Sequence, residues 1–430
     1  MLPNAVVWLV RDTCRKQDNP AFQKACDIAT DRKSFLLPLA CLEPRRWAGQ
    51  QMSMPRVSKP WAKFRAESLH TLRNDLSEEG TGLWLSAEEP VHALMSLVQK
   101  FSITHVVTDH PLATEERAEN AKIAAEGFEV IDVFADELFE LNQLPFGLDD
   151  FPSTFSKFRR AVEKNSNLSL PRQSEQSFKP KLHRSSWFDP AAFQQALKFE
   201  KPDIMDVPLT GGAQNALSHW QDYLDSRALS TYKKTRNALF GLHKSSHLSA
   251  WLAHGRLSPR RIWQDTLIYE KQYGANDSTY WLRFELLWRE YFRWYARACD
   301  STLFRFSGPE DRPISGDQNS KRFLSWTSGA TGCDIVDAGI AELNETGWVS
   351  NRMRQLMASH LIYELNLDWR LGAAYFESRL IDHDVASNWG NWAYIAGVGP
   401  DPRGGRVFNL EQQANRYDAD FQYRAFWLSR

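Results

Sequence analysis

The chain has 430 residues, enough for two or three domains with their own hydrophobic cores. Its formal net charge is −1, which excludes a strong overall positive field, so nucleic-acid binding would require a local basic patch. The five cysteines form no CxxC pair and have no metal-ligand spacing, which favours a reducing compartment, the cytoplasm, over a disulfide framework.

Residues 1–134 alternate short apolar runs with amphipathic stretches. Strands are predicted over Ala5–Val10, Phe35–Leu42, Gly82–Leu85, His105–Thr108 and Glu129–Phe134. Helices are predicted over Pro20–Ala29, Trp61–Leu76, Val91–Phe101 and Glu115–Glu126. This alternation predicts an α/β domain with a doubly wound parallel sheet. The first strand lacks a basic leader and is too short to cross a membrane, and no GxGxxG follows it.

The composition changes after this domain. Residues 135–205 are predicted to form an interdomain connector, a loop that runs over the surface, because Ser, Pro, Lys and Arg accumulate between Asp149 and Pro202 while apolar periodicity disappears. Residues 206–430 are predicted to be a helical domain. Ser258 suits a helix N-cap, Pro259 suits the first turn, and Gly274 suits the stop.

A segment at 381–392 has the composition of a flavin contact. Asp382 and Asp384 are followed by Asn388, and then by Trp389-Gly-Asn-Trp392. Carboxylate and amide groups suit the polar edge of a flavin, and tryptophans suit packing and electron transfer. An ordinary helix start is the alternative. No metal site is expected around His383, because adjacent residues in a turn point to different sides and no second His is nearby.

Two helices carry polar groups on one face. On the first, Glu285, Trp288 and Arg289 follow helical spacing, so the indole could stack on a base while Glu285 bonds a base edge. An ordinary Glu285–Arg289 ion pair is the alternative. On the second, Asn351, Arg354 and Gln355 share a face. Arg354 could pair with Asp382 and so stabilise a reduced, anionic flavin.

A serine-rich loop precedes a predicted helix at Ser245-Ser246-His247-Leu248-Ser249. Three hydroxyls and free backbone N–H groups at a helix start suit a pyrophosphate. Ordinary helix capping is the alternative.

These motifs, in this order, resemble those of the photolyase/cryptochrome family, and the Asn388–Trp392 run is similar to its DASH branch. The resemblance implies an antenna domain, a connector and a helical FAD-binding domain. It implies FAD contacts from Tyr232, Ser245, Ser246, His247, Leu248, Ser249, Arg289, Asn351, Arg354, Asp382, Asp384 and Asn388. His247 stands where an Arg or Lys is usual, so a titratable group replaces a fixed charge there.

The resemblance also implies a reaction: electron donation from reduced FAD, driven by blue light, to a cyclobutane pyrimidine dimer in DNA. It implies substrate contacts from Glu285, Trp288, Asn351, Arg352, Gln355 and Tyr394. Gln355 and Tyr394 stand where ordinary photolyases carry Met and Trp, so single-stranded or looped DNA is the expected substrate. A blue-light photoreceptor with little or no repair activity is the alternative. We expect a monomer without membrane association.

The resemblance finally implies an antenna and an electron relay. Asp149 matches an acid that holds 5,10-methenyltetrahydrofolate, although the usual residue is the longer Glu. Trp392 and Trp369 match the first two of three relay tryptophans. The third should fall at Ile314 or Gly316, neither of which can be oxidised. We therefore expect photoreduction to start at Trp392 and recombine quickly, unless another aromatic such as Trp326 substitutes.

Overall fold

The N-terminal domain of the computed structural model has the predicted strands and helices. The structure describes residues 2–165, 181–182, 190–200 and 209–430. The first elements are β1 (Asn4–Leu9), α1 (Pro20–Asp31), β2 (Phe35–Cys41), α2 (Pro44–Trp47), β3 (Gln50–Gln51), β4 (Met54–Pro55), α3 (Lys59–Glu78), β5 (Trp84–Ser86), α4 (Pro90–Leu97), β6 (Ser102–Asp109), α5 (Thr114–Ala125) and β7 (Glu129–Val133). The short α2, β3 and β4 were not predicted.

The main sheet has the order β5-β2-β1-β6-β7, and every pairing between these neighbours is parallel. Successive side chains of β1 alternate between two hydrophobic clusters. Val6 and Trp8 pack with α1 and α3, whereas Val7 and Leu9 pack with α4 and α5. Helices therefore cover both faces, and the predicted doubly wound arrangement is confirmed.

The connector contains more structure than the sequence predicted. Its elements are α6 (Phe155–Asn165), β8 (Lys181–Leu182), which pairs with β2, and α7 (Ala191–Lys198). The prediction of a loop over the surface was wrong for α6, because Phe155, Phe158 and Val162 are buried in the core of the helical domain. Their spacing of three and four residues is a helical stripe hidden among polar residues. The Pro171–Ser177 part of the connector lies outside the described residues.

The helical domain is built almost wholly of α-helices, as predicted. They are α8 (Ala213–Asp225), α9 (Tyr232–Thr235), α10 (Ser249–Ala253), α11 (Pro259–Tyr273), α12 (Asp277–Cys299), α13 (Ser320–Thr327), α14 (Asp334–Thr346), α15 (Asn351–Ser359), α16 (Trp369–Arg379), α17 (Val385–Ala396), α18 (Leu410–Tyr417) and α19 (Gln422–Leu428). The predicted cap of α11 is present, since the Ser258 hydroxyl accepts a hydrogen bond from the backbone N–H of Arg261. None of the helices in the described part of the chain is long and apolar enough to cross a membrane.

An ionic cluster, buried between the two domains, positions α12. Arg293 and Arg297 both pair with Glu137, at 3.0 and 2.7 Å, and Arg289 pairs with Asp136. Burial alone would raise the pKa of Glu137, but the guanidinium groups of Arg297 and Arg293 hold it well below its ordinary value. The first residues of the connector thus hold the face of α12 that carries the candidate site residues.

Candidate functional site

A cavity of about 290 Å³ lies among the helices of the C-terminal domain. It brings together most of the residues singled out in the sequence: Tyr232, Ser245, Ser246, His247, Leu248, Ser249, Glu285, Arg289, Asn351, Arg354, Gln355, Asp382, Asp384, Asn388 and Trp392. Segments separated by up to 160 residues in the chain therefore face one space. Trp288, Arg352, Trp369 and Tyr394 are not part of the described lining.

One wall is the serine-rich loop before α10. Tyr232 is buried beneath it and shares a side-chain hydrogen bond with Ser246, and burial raises the pKa of the Tyr232 phenol well above its ordinary value. His219, which the sequence analysis did not identify, contacts the loop through its Nε2 atom, 2.8 Å from the carbonyl oxygen of Ser246. His247 adopts a left-handed backbone conformation with φ of 50°. The loop is thus held in one shape.

Another part of the lining contains two aspartates, Asp382 and Asp384, each paired with an arginine. Arg354 donates to Oδ2 of Asp382 at 2.8 Å, so the ion pair expected from the sequence is present. The Asp382 side chain is only 1% exposed, and its Oδ1 has no hydrogen-bond partner among the described residues. A buried carboxylate oxygen without a donor fits a ligand that brings an N–H group, as a flavin ring does.

Asp384 begins α17 and is tied to α12. It accepts a hydrogen bond from the backbone N–H of Ser387 at 2.7 Å, and Arg293 lies 3.1 Å away. Burial would raise the pKa of Asp384, but Arg293 and Arg289 lower it below its ordinary value. Asp384 is therefore an ionised N-cap, and the Arg293 that holds it was not identified from the sequence.

The next turns of α17 place an amide and an indole at the cavity. The Asn388 side-chain nitrogen donates to the backbone oxygen of Ala373 at 2.9 Å, which leaves its amide oxygen available to a ligand. Trp392 packs directly over Gly372, where an added Cβ would lie 2.1 Å from the indole. Likewise, Gly390 admits the ring of Phe292. The glycines therefore allow α17 to approach its neighbours closely.

Glu285 lies across the cavity from these groups. The ordinary Glu285–Arg289 pair considered from the sequence is replaced by an ion pair with Arg236 at 2.8 Å, which sequence analysis missed. Trp281 also donates to Glu285, at 3.0 Å. Both partners bond Oε1, so Oε2 is left as an acceptor. Burial raises the pKa of Glu285, and Arg236 opposes that change.

Aromatic residues flank the cavity beside Glu285. Trp288 is stacked on Phe155 of α6, with ring centroids 3.7 Å apart and an interplanar angle of 12°, and its ring meets Tyr394 edge-on at 5.6 Å. Tyr394 bonds Arg406. Phe155 was missed because its helix was taken for a loop, and it covers one indole face that the sequence had left open to a base.

The second polar helix, α15, contributes at the cavity mouth. Asn351 is exposed there, and the Gln355 side-chain oxygen has no partner within the described part of the chain. Arg352 points away from the cavity lining, toward Asn237 at 3.3 Å and the ring of Tyr417 at 5.1 Å. Asn351 and Gln355 are thus available to a ligand.

The tryptophans expected to carry electrons have unequal surroundings. The ring contacts of Trp392 include Trp326 at 6.3 Å, whereas Trp369 meets Trp389 at 5.8 Å. Trp369 is fully buried and its indole N–H donates to the backbone oxygen of Phe306. The ring neighbours of Trp392 are therefore Phe376, at 5.1 Å, and Trp326, which was the alternative relay residue left open by the sequence.

Two further features concern other ligands. Glu43, Glu89 and Glu119 have carboxylate oxygens within 4.8 Å of one another, but Arg45 pairs with all three at 3.0–3.4 Å and supplies the cation. Asp149 is exposed in the turn before α6, where its neighbour Asp150 accepts the Gly147 N–H. Its part in holding an antenna stays a prediction.

Comparison with known proteins gives consistent matches. Residues 5–177 match the family model described as DNA photolyase, and residues 281–430 match that described as FAD binding domain of DNA photolyase. A protein named Cryptochrome DASH from Vibrio parahaemolyticus is 40% identical over 94% of this chain and 90% of its own length.

Two solved structures of photolyase-family proteins superpose on this chain. A cryptochrome from Synechocystis sp. PCC6803 superposes with a TM-score of 0.91 at 32% identity, covering 100% of this chain and 89% of its own. A class III photolyase from Agrobacterium tumefaciens superposes with a TM-score of 0.80 at 25% identity, covering 100% and 87%.

Proposed function

The chain belongs to the cryptochrome DASH group of the photolyase family and has its FAD-binding domain, and from that premise we propose that it repairs cyclobutane pyrimidine dimers under blue light. Its preferred substrate is a dimer in single-stranded or looped-out DNA. The cytoplasmic location and monomeric state expected from the sequence belong to the same proposal.

One observation carries the proposal: the same cavity is lined by the flavin-edge residues and by three of the six substrate residues. Asp382 and Asn388 are the flavin-edge residues in its lining, and Glu285, Asn351 and Gln355 are the substrate residues. A lesion held by the second group would lie against a flavin held by the first. Direct contact is what a short electron transfer from cofactor to dimer requires.

The residues present fit FAD. Asp382 offers its unpartnered Oδ1 to a ring N–H, and Asn388 offers its amide oxygen. Arg354 supplies positive charge at that edge, and the hydroxyls of Ser245 and Ser246 face the same cavity for the phosphates. When bound, FAD supplies the light-driven electron, while the protein supplies position and electrostatics.

The substrate side is polar rather than enveloping. Glu285 offers Oε2 to a base edge, because Arg236 and Trp281 occupy Oε1. Gln355 and the Arg406-bonded Tyr394 provide hydrogen-bonding groups where a broad apolar surface would be needed to reward unpairing a duplex. Since extruding a dimer from a duplex costs a few kcal/mol, such a pocket favours a lesion that is already unpaired.

The phosphate backbone of the DNA must be bound by a local group of basic side chains, because the total charge of the protein is nearly balanced. Arg236 contacts Glu285 and Arg406 contacts Tyr394, so two guanidinium groups stand beside the substrate residues. Binding through such groups releases counterions and should weaken steeply as salt rises.

The test is repair of a defined thymine dimer by protein reduced with dithionite. Identical dimers are placed in a single strand, an internal loop and a full duplex, and dimer loss is followed by chromatography under blue light and in darkness. We expect light-dependent repair, fastest in the single strand. Equal rates and affinities in strand and duplex at the same salt would contradict the substrate preference. If no dimer is lost although FAD is bound and reduced, the repair activity is refuted and the photoreceptor alternative is retained.

Glu285→Gln provides the matched test of the site. Replacing a charged acceptor weakens a hydrogen bond worth about 1.5–3 kcal/mol, so repair at low substrate concentration should fall about tenfold or more. Glu270→Gln is the control, since Glu270 also pairs with an arginine, Arg283 at 2.7 Å, but does not line the cavity. Equal losses in both variants would point to stability instead of substrate binding.

A further inference from the structure

A path of buried aromatic rings leads from the cavity wall to a tyrosine whose hydroxyl meets the exposed Asn344. Trp392 lines the cavity and is 2% exposed. Its ring meets Trp326 at 6.3 Å with an interplanar angle of 75°, and Trp326 meets Tyr375 at 5.3 Å and 67°. We propose that Trp392, Trp326 and Tyr375 form the electron relay that recharges the flavin and that the relay ends in a tyrosyl radical. This inference rests on FAD occupying the cavity, as in the proposed function.

The surroundings of Trp326 suit an intermediate carrier. It is fully buried, and its indole N–H has no hydrogen-bond partner in the part of the chain described. The indole N–H groups of Trp369 and Trp389, by contrast, donate to a backbone carbonyl and to Glu377. Without an acceptor, an oxidised Trp326 keeps its proton, remains a cation and stays a strong oxidant of its neighbour.

The surroundings of Tyr375 suit a terminal donor. Its hydroxyl lies within hydrogen-bond distance of two acceptors, the side-chain oxygen of Asn344 and the backbone oxygen of Thr327, and Asn344 is exposed. The Arg379 guanidinium lies 5.3 Å from the ring centroid and disfavours a second positive charge there. Oxidation of Tyr375 is therefore coupled to loss of the phenol proton toward water along Asn344. The ring is 2% exposed, so the exposed Asn344 beside the hydroxyl is the side from which a reductant in solution approaches the radical.

The steps balance one electron at a time. Trp392 gives one electron to the light-excited oxidised flavin, Trp326 gives one to Trp392, and Tyr375 gives one to Trp326 while its phenol proton goes to water. A thiol in solution then returns one electron and one proton to Tyr375. The resulting thiyl radicals combine in pairs to a disulfide. The net change is transfer of one electron from the thiol to the flavin and release of one proton from the thiol to water.

This relay differs from the expectation drawn from the sequence, in which the path stopped at Ile314 or Gly316. Neither residue is needed when Trp326 contacts Trp392 directly. Separation of charge over two further rings slows recombination, so a good yield of reduced flavin is expected.

Two substitutions test the relay in the FAD-containing protein. Trp326→Phe and Tyr375→Phe keep a buried ring but remove the oxidisable group. With a thiol donor under blue light, we expect the photoreduction rate to fall at least fivefold in each. Trp220→Phe and Tyr223→Phe, which change buried rings away from the cavity, should match the native protein. FAD content and reduction by dithionite verify that each variant is folded and loaded.

Electron paramagnetic resonance gives a readout independent of rate. Native protein frozen under illumination should show a tyrosyl radical whose hyperfine pattern changes with ring-deuterated tyrosine and which is absent from Tyr375→Phe. Native photoreduction rates in both relay variants would overturn the proposal. A spectrum that contains only a tryptophan radical would also overturn it. So would a result in which Trp369→Phe loses photoreduction while Trp326→Phe keeps the native rate.

The proposed function can fail separately. Repair of dimers by the dithionite-reduced native protein does not need the relay. If the Tyr375-dependent radical is observed but no dimer is repaired, only the repair activity is refuted. Normal repair with unchanged photoreduction in Trp326→Phe refutes only the relay.

Discussion

Replacement of Asp382 by Asn tests the cofactor site most directly. The Asp382 side chain is 1% exposed, Oδ2 is held by Arg354, and Oδ1 has no partner among the described residues. The Oδ1 atom is therefore expected to accept a charge-assisted hydrogen bond from the flavin. The substitution keeps the size of the side chain and removes its charge.

The size of the effect follows from that geometry. A hydrogen bond to a charged group contributes about 1.5–3 kcal/mol, and the amide oxygen of Asn still accepts a neutral bond. Because the neutral bond remains, we take the lower part of the range of about 1.5–3 kcal/mol for the loss. A loss of about 1.5–2 kcal/mol of binding free energy raises the FAD dissociation constant about 10- to 30-fold. The measurement is titration of apoprotein with FAD, followed by flavin fluorescence or calorimetry.

Asp418→Asn is the matched control. Asp418 is likewise buried, with 2% side-chain exposure, and pairs with Arg424 at 2.8 Å, but it does not line the cavity. Both variants should lower the melting temperature of the apoprotein, because each weakens a buried ion pair. Only Asp382→Asn should change FAD affinity. If Asp382→Asn binds FAD within about threefold of the native protein, Oδ1 is not a flavin acceptor.

Three further predictions concern the substrate and the ring. Trp288→Ala should cost about 1–3 kcal/mol of binding to dimer-containing single strands, nearer the lower end because Phe155 covers one indole face; unchanged anisotropy titrations would remove the stacking role. Asn388→Asp should alter the flavin absorption spectrum recorded under blue light, since a carboxylate replaces the amide facing the ring, and identical spectra would reject that placement. Burial raises the pKa of Glu285 in the folded protein above its ordinary value, so ionisation of Glu285 costs the native protein stability as pH rises. Glu285→Gln should therefore gain stability relative to the native protein as pH rises above about 4.5, measured by thermal unfolding at pH 4 and pH 7, and a constant difference would contradict this.

Much of the fold and of the candidate site was readable from the sequence, because the relevant patterns are local. Alternating apolar runs and helical spacing predicted the strands and helices of the first domain within a few residues. Asp384 and Asn388, like Glu285 and Arg289, are one helical turn apart, so each pair shares a helix face, and Asp382 lies two residues before the first pair. The side chains of these five residues do line one cavity.

The partners of those residues could not be read in this way. Arg236 reaches Glu285, and Arg293 reaches Asp384 across 91 positions of the chain. Local spacing predicts which side chains share a helix face, but it contains no information about which distant helix packs against that face.

Sequence alone therefore determined the α/β and helical fold classes, the family resemblance and the polar faces of α12, α15 and α17. Only the tertiary structure decided that Phe155 covers Trp288 and that Trp326 meets Trp392 edge-on. The physical reason is that backbone propensity and hydrophobic periodicity act over a few residues. Ring stacking and buried ion pairs, in contrast, depend on how whole helices close around a common core.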